Sequence, residues 1–260
     1  MKNTKKLVVS AILVSWIIVL GMTQLGFIPV GPIKATTLHI PVLIAAIIFD
    51  RKMGIILGLV FGGYSFIQNL TRPTPLSFVF LNPLISVLPR LLLPIIAYRL
   101  MQIFKKDKNI KSHTIIVGAI SFAAIVYSAI KAFNTNSKTG FIICIAMAIV
   151  LMIYLILSIK SDSKTMPAFL SATIATMCHT IMVMGMIYIL YLNRYAEALG
   201  ITTSEVLPLV IGVVILNGVP ESIIAGLGIG LLYRRKDDFN NWYWKHKYGF
   251  GNLRRWTFKS

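Results

Sequence analysis

Acidic residues are scarce in this chain. Only 8 Asp and Glu stand against 26 Lys and Arg among 260 residues, and charged residues together make up 13%. So little charge excludes a disordered chain and fits poorly with a soluble domain. Cysteine is nearly absent: Cys144 and Cys178 both lie inside apolar runs, supply no disulfide framework and read as small buried hydrophobes. No segment reads G-x-x-x-x-G-K-[ST], so ATP hydrolysis on a phosphate loop is excluded. H-E-x-x-H and G-x-S-x-G are missing, and no His, Cys and acidic residues cluster at metal-ligand spacing. The sequence therefore points to no catalytic residue, no metal and no cofactor.

What the chain has instead is apolar length. Hydrophobic residues make up 57% of it. Runs of about 20 apolar residues recur, each long enough to cross a hydrocarbon core of ~30 Å. They predict an all-α integral membrane protein with spans near 7–28, 37–49, 53–70, 82–104, 113–133, 140–159, 167–192 and 207–232. The first run follows Lys2, Lys5 and Lys6 and so mimics a signal peptide. It is too long for a typical signal h-region and no small-x-small site closes it, so it reads as a retained span. With the N-terminus in the cytoplasm, the inside receives Arg51, Lys52, Lys105, Lys106, Lys108, Lys111, Lys160, Lys164 and the basic tail. The outside receives only Lys34, Arg72, Lys131, Lys138 and Arg194. This positive-inside bias places both termini in the cytoplasm. It also accounts for most of the net charge of +18 without nucleic acid. The tail, 234–260, interleaves basic residues with Trp242, Tyr243, Trp244, Tyr248, Phe250, Trp256 and Phe258. It reads as an interfacial segment on anionic membrane lipid, with a cytoplasmic docking partner as the alternative.

Polar residues at membrane depth are the candidates for function. The segment 27–41, FIPVGPIKATTLHIP, holds three prolines with Lys34, Thr36 and His39. Irregular backbone there is tolerated where it lines a cavity, so it reads as a pocket wall or a connecting loop. The loop 69–82 carries Arg72 and ends at Asn82. Arg90 lies in SVLPRLLLP among Pro83, Pro89 and Pro94; it faces a ligand or pairs with Glu221. Asn217, Gly218, Pro220 and Glu221 interrupt the last apolar run, as in the broken helices that build midplane sites. His179 stands in the seventh run. Gly54, Gly58 and Gly62 form a small-residue ridge for internal packing, and Ala11 and Ser15 share a face of the first span.

Four segments together resemble one family. FIPVGPIKATTLHIPVLIAAIIFDRKMGIILGLVFGGYSFI, SFVFLNPLISVLPRLLLP, IYILYLNRYAEALG and LNGVPESI are similar to the vitamin-specific S components of energy-coupling factor (ECF) transporters, in the branch that includes pantothenate carriers. The resemblance covers residues 5–105 and 166–235. It implies a six-helix bundle in the bacterial cell membrane that binds a vitamin from outside. Such a bundle docks on a transmembrane coupling protein carried by two ATPase subunits, and topples to deliver its cargo. Docking in the family uses a small-x-x-x-small pattern on the first helix, which Ala11 and Ser15 match. The family pocket falls on Lys34, Thr36, His39, Arg72, Asn82, Arg90, His179, Asn217 and Glu221. Residues 107–165 have no counterpart and are expected to form an inserted transmembrane hairpin. It separates a core of residues 1–106 from a second part, 166–233, and gives about eight spans. With pantothenate as cargo, Arg90 or Arg72 would meet the carboxylate, and Asn82, Asn217 and Thr36 the neutral groups. Glu221 would suit a pyridoxine-like compound or hydroxymethylpyrimidine better; folate and riboflavin are further alternatives. Two rival classes are an autonomous secondary transporter and an intramembrane enzyme using His179 and Glu221.

Overall fold

The computed structural model describes residues 2–23, 27–30, 33–160 and 165–248. The elements run in the order α1 (Lys2–Met22), β1 (Phe27–Val30), β2 (Ile33–Thr36), α2 (Ile40–Ile44), α3 (Arg51–Thr71), α4 (Ser77–Phe80), α5 (Pro83–Ser86), α6 (Leu88–Phe104), α7 (Ile110–Asn134), α8 (Lys138–Lys160), α9 (Met166–Leu199), α10 (Thr203–Val213) and α11 (Val219–Tyr248). A π-helical turn, Ala45–Phe49, extends α2, and a second, Val214–Gly218, joins α10 to α11. Pro220 lacks the N–H that the regular ladder would use there, which suits a widened turn.

The helix ends follow local chemistry. Asp50 is extended, and its carboxylate accepts from the Met53 N–H at 2.9 Å, capping α3. Thr202 and Glu205 close a capping box on α10. Gly200, at φ 65°, supplies the left-handed residue that stops α9.

Among the described residues, six helices are long and apolar enough to cross a membrane: Arg51–Thr71, Pro83–Phe104, Ile110–Asn134, Gly140–Leu157, Met166–Leu199 and Thr203–Arg235. Two expected spans are shorter. The apolar part of α1 is Lys6–Met22, and the second is Ile40–Phe49, which at 1.5 Å per residue covers about half of the hydrocarbon core. The expected first span, 7–28, overshoots: α1 ends at Met22, and Phe27–Val30 pairs antiparallel with Ile33–Thr36. An all-α description is therefore corrected by one two-stranded ribbon. Pro29 lacks a backbone N–H and would clash in a helix interior, which suits Phe27–Val30 to a strand. The last span, Thr203–Arg235, contains the expected 207–232, and α11 stays helical beyond it to Tyr248. Of the tail, 249–260 lies outside the described residues, as do the side chains from 236 onward.

The main core gathers Leu43, Leu57, Phe61, Leu93 and Ala172 from α2, α3, α6 and α9. The glycine ridge makes it possible. A Cβ on Gly54 would stand 2.9 Å from Pro94 Cβ, one on Gly58 2.5 Å from the Arg90 carbonyl oxygen, and one on Gly62 2.9 Å from Val87 Cα. The ridge thus packs α3 on α6, as its spacing predicts. On α7, Ile110, Thr114, Gly118, Ser121, Ile125, Ser128 and Ala132 are buried, a narrow seam that recurs every three or four residues. It packs against α8, while Ile116, Ile120, Ile130 and Phe133 face outward. Such apolar outer faces suit lipid.

Two outcomes are expected. Gly58→Ala must push α6 backbone aside and costs about 1–3 kcal/mol in thermal melts of the detergent-solubilised protein. Gly63→Ala, where an added Cβ meets nothing within 4 Å, is neutral or stabilising. At the other end of α3, the Asp50 carboxylate is held below its ordinary pKa by Lys6 and by the Met53 N–H. A depressed carboxylate adds stability above its unfolded pKa and loses it as pH falls through the folded value. Asp50→Ala therefore costs about 1 kcal/mol at pH 7, and the difference closes in melts below about pH 4.

Candidate functional site

Thr36 ends β2 against the last long helix. Its backbone N–H donates to Glu221 Oε1 at 2.5 Å, and its hydroxyl bonds the same carboxylate. The backbone of Thr36 also bonds the ring of His39, which is 1% exposed and precedes α2. Glu221 stands in the first turn of α11, just past the π turn that buries Asn217 and Gly218. Gly218 lets this turn approach α9: a Cβ there would lie 3.1 Å from Thr180 Cγ2.

Arg90 comes from α6. The expected span 82–104 is matched by Pro83–Phe104, and a turn at Val87 within it puts Arg90 in the first turn of Leu88–Phe104. It is buried, and Nη1 donates to the Ile85 carbonyl. The guanidinium lies 5.5 Å from the ring centroids of both Phe61 and Phe80. Aromatic faces stabilise a desolvated cation by roughly 2 kcal/mol or more. The Phe61 ring is in turn 6.3 Å from that of His179, in mid-α9. His179 lies within electrostatic range of both Arg90 and His39. No ion pair joins Arg90 to Glu221 among the described residues; their charges act at longer range.

The zone between α2, α3, α6, α9 and α11 thus unites Thr36, His39, Arg90, His179, Asn217 and Glu221. Among the described residues, three of these groups keep a buried polar atom with no hydrogen-bond partner: His39 Nε2, Arg90 Nε and His179 Nε2. Each such atom costs about 1–3 kcal/mol unless something else bonds it. Thr176 Oγ1, one turn from His179, is a fourth.

Other candidates lie elsewhere. Arg72 is exposed at the end of α3. Asn82 caps α5 by accepting from the Leu84 N–H at 3.0 Å, and donates to the Tyr191 hydroxyl at 3.3 Å. Tyr191 is where α9 kinks. Lys34 sits opposite Pro29 in the ribbon, with its side chain outside the described part. Ala11 and Ser15 are exposed on α1, and Ser15 Oγ donates to the Ala11 carbonyl at 2.9 Å. The loop before Asn82 is fastened: Ser77 Oγ donates to Asn69 Oδ1 at 2.8 Å and accepts from the Thr74 N–H at 2.8 Å. Two residues that sequence reasoning missed, Phe61 and Phe80, form the walls around Arg90. Phe61 was within reach, since it follows Gly54 and Gly58 at helical spacing on the same face; Phe80 had no such signal.

The family model for the substrate-specific component of ECF transporters matches residues 5–134, half of the chain. The chain belongs to that family. It is a multi-pass membrane protein, and the family is one of transporter components rather than enzymes. The match takes in α1 to α7, and so Thr36, His39, Phe61 and Arg90; His179, Asn217 and Glu221 lie beyond it. A similar protein is the pantothenic acid transporter PanT of Lactococcus lactis subsp. cremoris (strain MG1363), 47% identical over 49 residues. The alignment spans 19% of this S component and 25% of PanT, about a quarter of that relative's length.

Asn82 tests the architecture around the site. Asn82→Ala removes a cap and is expected to cost about 1 kcal/mol in a thermal melt. Tyr191→Phe, which removes only the second bond, is expected to cost less.

Proposed function

We propose that this S component is the vitamin-binding membrane subunit of an ECF transporter, and that its cargo is pantothenate. The observation that carries the reading is Arg90: a buried guanidinium fixed by Ile85 and two aromatic rings, with Nε still offering a hydrogen bond. A carboxylate fits the free edge of a guanidinium. His39 Nε2 and His179 Nε2 then serve the hydroxyls and amide of the cargo, with Asn217 beside them. Similarity to PanT supports the choice of vitamin, over the short stretch it covers. Pyridoxine-like, hydroxymethylpyrimidine, folate and riboflavin cargoes are the outcomes to exclude.

In this reading both termini face the cytoplasm and the ribbon faces out. Residues 107–165 form a hairpin added between the core parts 1–106 and 166–233. The basic tail, 234–260, rests on anionic lipid. The exposed Ala11–Ser15 face of α1 docks on the transmembrane coupling protein, which two ATPase subunits drive. Ser15 serves there as an alanine equivalent because its hydroxyl is bonded within its own helix.

Binding of labelled pantothenate to purified protein tests the cargo. Arg90→Ala should weaken it about tenfold to a hundredfold, the range for losing a charge-assisted bond. Normal binding by Arg90→Ala, or a preference for another vitamin, removes the assignment. Ala11→Leu with Ser15→Leu should keep binding but lose cellular uptake. Full uptake in cells lacking the energising module would sink the transporter-subunit reading.

A further inference from the structure

Among the described residues, Glu221 is the one acid in a zone otherwise supplied with a cation and two imidazoles, and its place in the proposed anion site needs an explanation. The structure gives it a different employment. Its carboxylate takes both the backbone N–H and the hydroxyl of Thr36, 185 residues away in sequence. Thr36 in turn bonds the His39 ring through its backbone. β2 also packs on the Val214–Gly218 turn and on the start of α11. Two convergent donors from one residue fix position and direction, and hydrogen bonds to an ionised acceptor are about twice as strong as neutral ones.

We propose that Glu221 is a clasp and not a ligand to the cargo: it fastens the Thr36 end of β2 to α11 and thereby positions His39 in the binding site. The inference rests on the vitamin-site reading only for what His39 is positioned against; the clasp itself is a property of the unliganded protein. Its consequence for specificity is that the acid is spent on main chain. The group left to meet a ligand is then Arg90, whose Nε has no hydrogen-bond partner among the described residues, so a ligand's carboxylate would bind there and not at Glu221.

The test needs the acid removed and the acceptor kept. Glu221→Gln retains an oxygen for the Thr36 N–H, whereas Glu221→Ala retains none. Amide hydrogen exchange is measured over residues 33–38 in nanodiscs without ligand, alongside release of labelled pantothenate and a melting curve for each variant. Glu221→Ala is expected to speed exchange at Thr36 and pantothenate release by about tenfold or more, with Glu221→Gln close to the native protein in both. Unchanged exchange in a folded Glu221→Ala protein overturns the clasp. So does a Glu221→Gln protein that exchanges normally yet releases pantothenate as fast as Glu221→Ala, because the carboxylate would then be touching cargo. If exchange responds as expected while the native protein binds no pantothenate, the clasp stands and the cargo assignment falls.

Discussion

The approach of Gly58 to the Arg90 carbonyl is the contact on which the rest of the site depends. With only hydrogen on Gly58, α3 settles against the first turn of α6 at a distance no Cβ would permit. Phe61, three residues further along the same face, is carried under the guanidinium by that closeness. The same ring reaches His179 on α9. Packing and electrostatics are therefore one arrangement: the ridge that joins two helices also builds the aromatic bed that makes a buried cation tolerable.

A buried cation must still be reconciled with its surroundings. At the beginning of α6, Arg90 stands at the positive end of the helix dipole, which disfavours it. The Ile85 carbonyl and the two rings offset part of that cost, and Glu221 contributes at longer range. What remains, among the described residues, is a zone where His39 Nε2, His179 Nε2 and Arg90 Nε have no hydrogen-bond partner. Buried polar atoms left in that condition are rare in stable cores and are concentrated here in the zone where several helices meet. An anion with further hydrogen-bonding groups would relieve all of them together.

Much of the fold was legible because a bilayer makes simple demands. Apolar runs of sufficient length became helices, and Gly54, Gly58 and Gly62 declared their packing face through spacing alone. The failures are local. The first span was drawn too long because hydropathy does not distinguish an apolar helix from an apolar strand, and Phe27–Val30 is the latter. The last expected span, 207–232, falls within the apolar stretch Thr203–Arg235, and the helix itself runs on to Tyr248, because a change from apolar to polar residues need not end a helix. Within the site, Arg90, His39, His179 and Glu221 stood out as ionisable groups in apolar runs. Their division of labour did not. That Asn82 donates to the Tyr191 hydroxyl, and that Glu221 binds a backbone N–H from β2, depends on contacts between residues 109 and 185 positions apart. No local pattern encodes those.

The outer surface of α1 completes the argument from packing to transport. Leu13 and Ile17 turn inward, while Ala11 and Ser15 look out among Ile12, Trp16 and Val19. Lipid tails are as apolar as leucine, so such a face gains little by burying oil-like area against another helix. Small side chains change the balance by letting backbones approach, and a hydroxyl already bonded at 2.9 Å to its own helix adds no unmet polar group. The face can therefore meet a partner closely and also leave it for lipid. The proposed docking on a coupling protein calls for a face of this kind, on which backbones can approach and no polar group is left unmet.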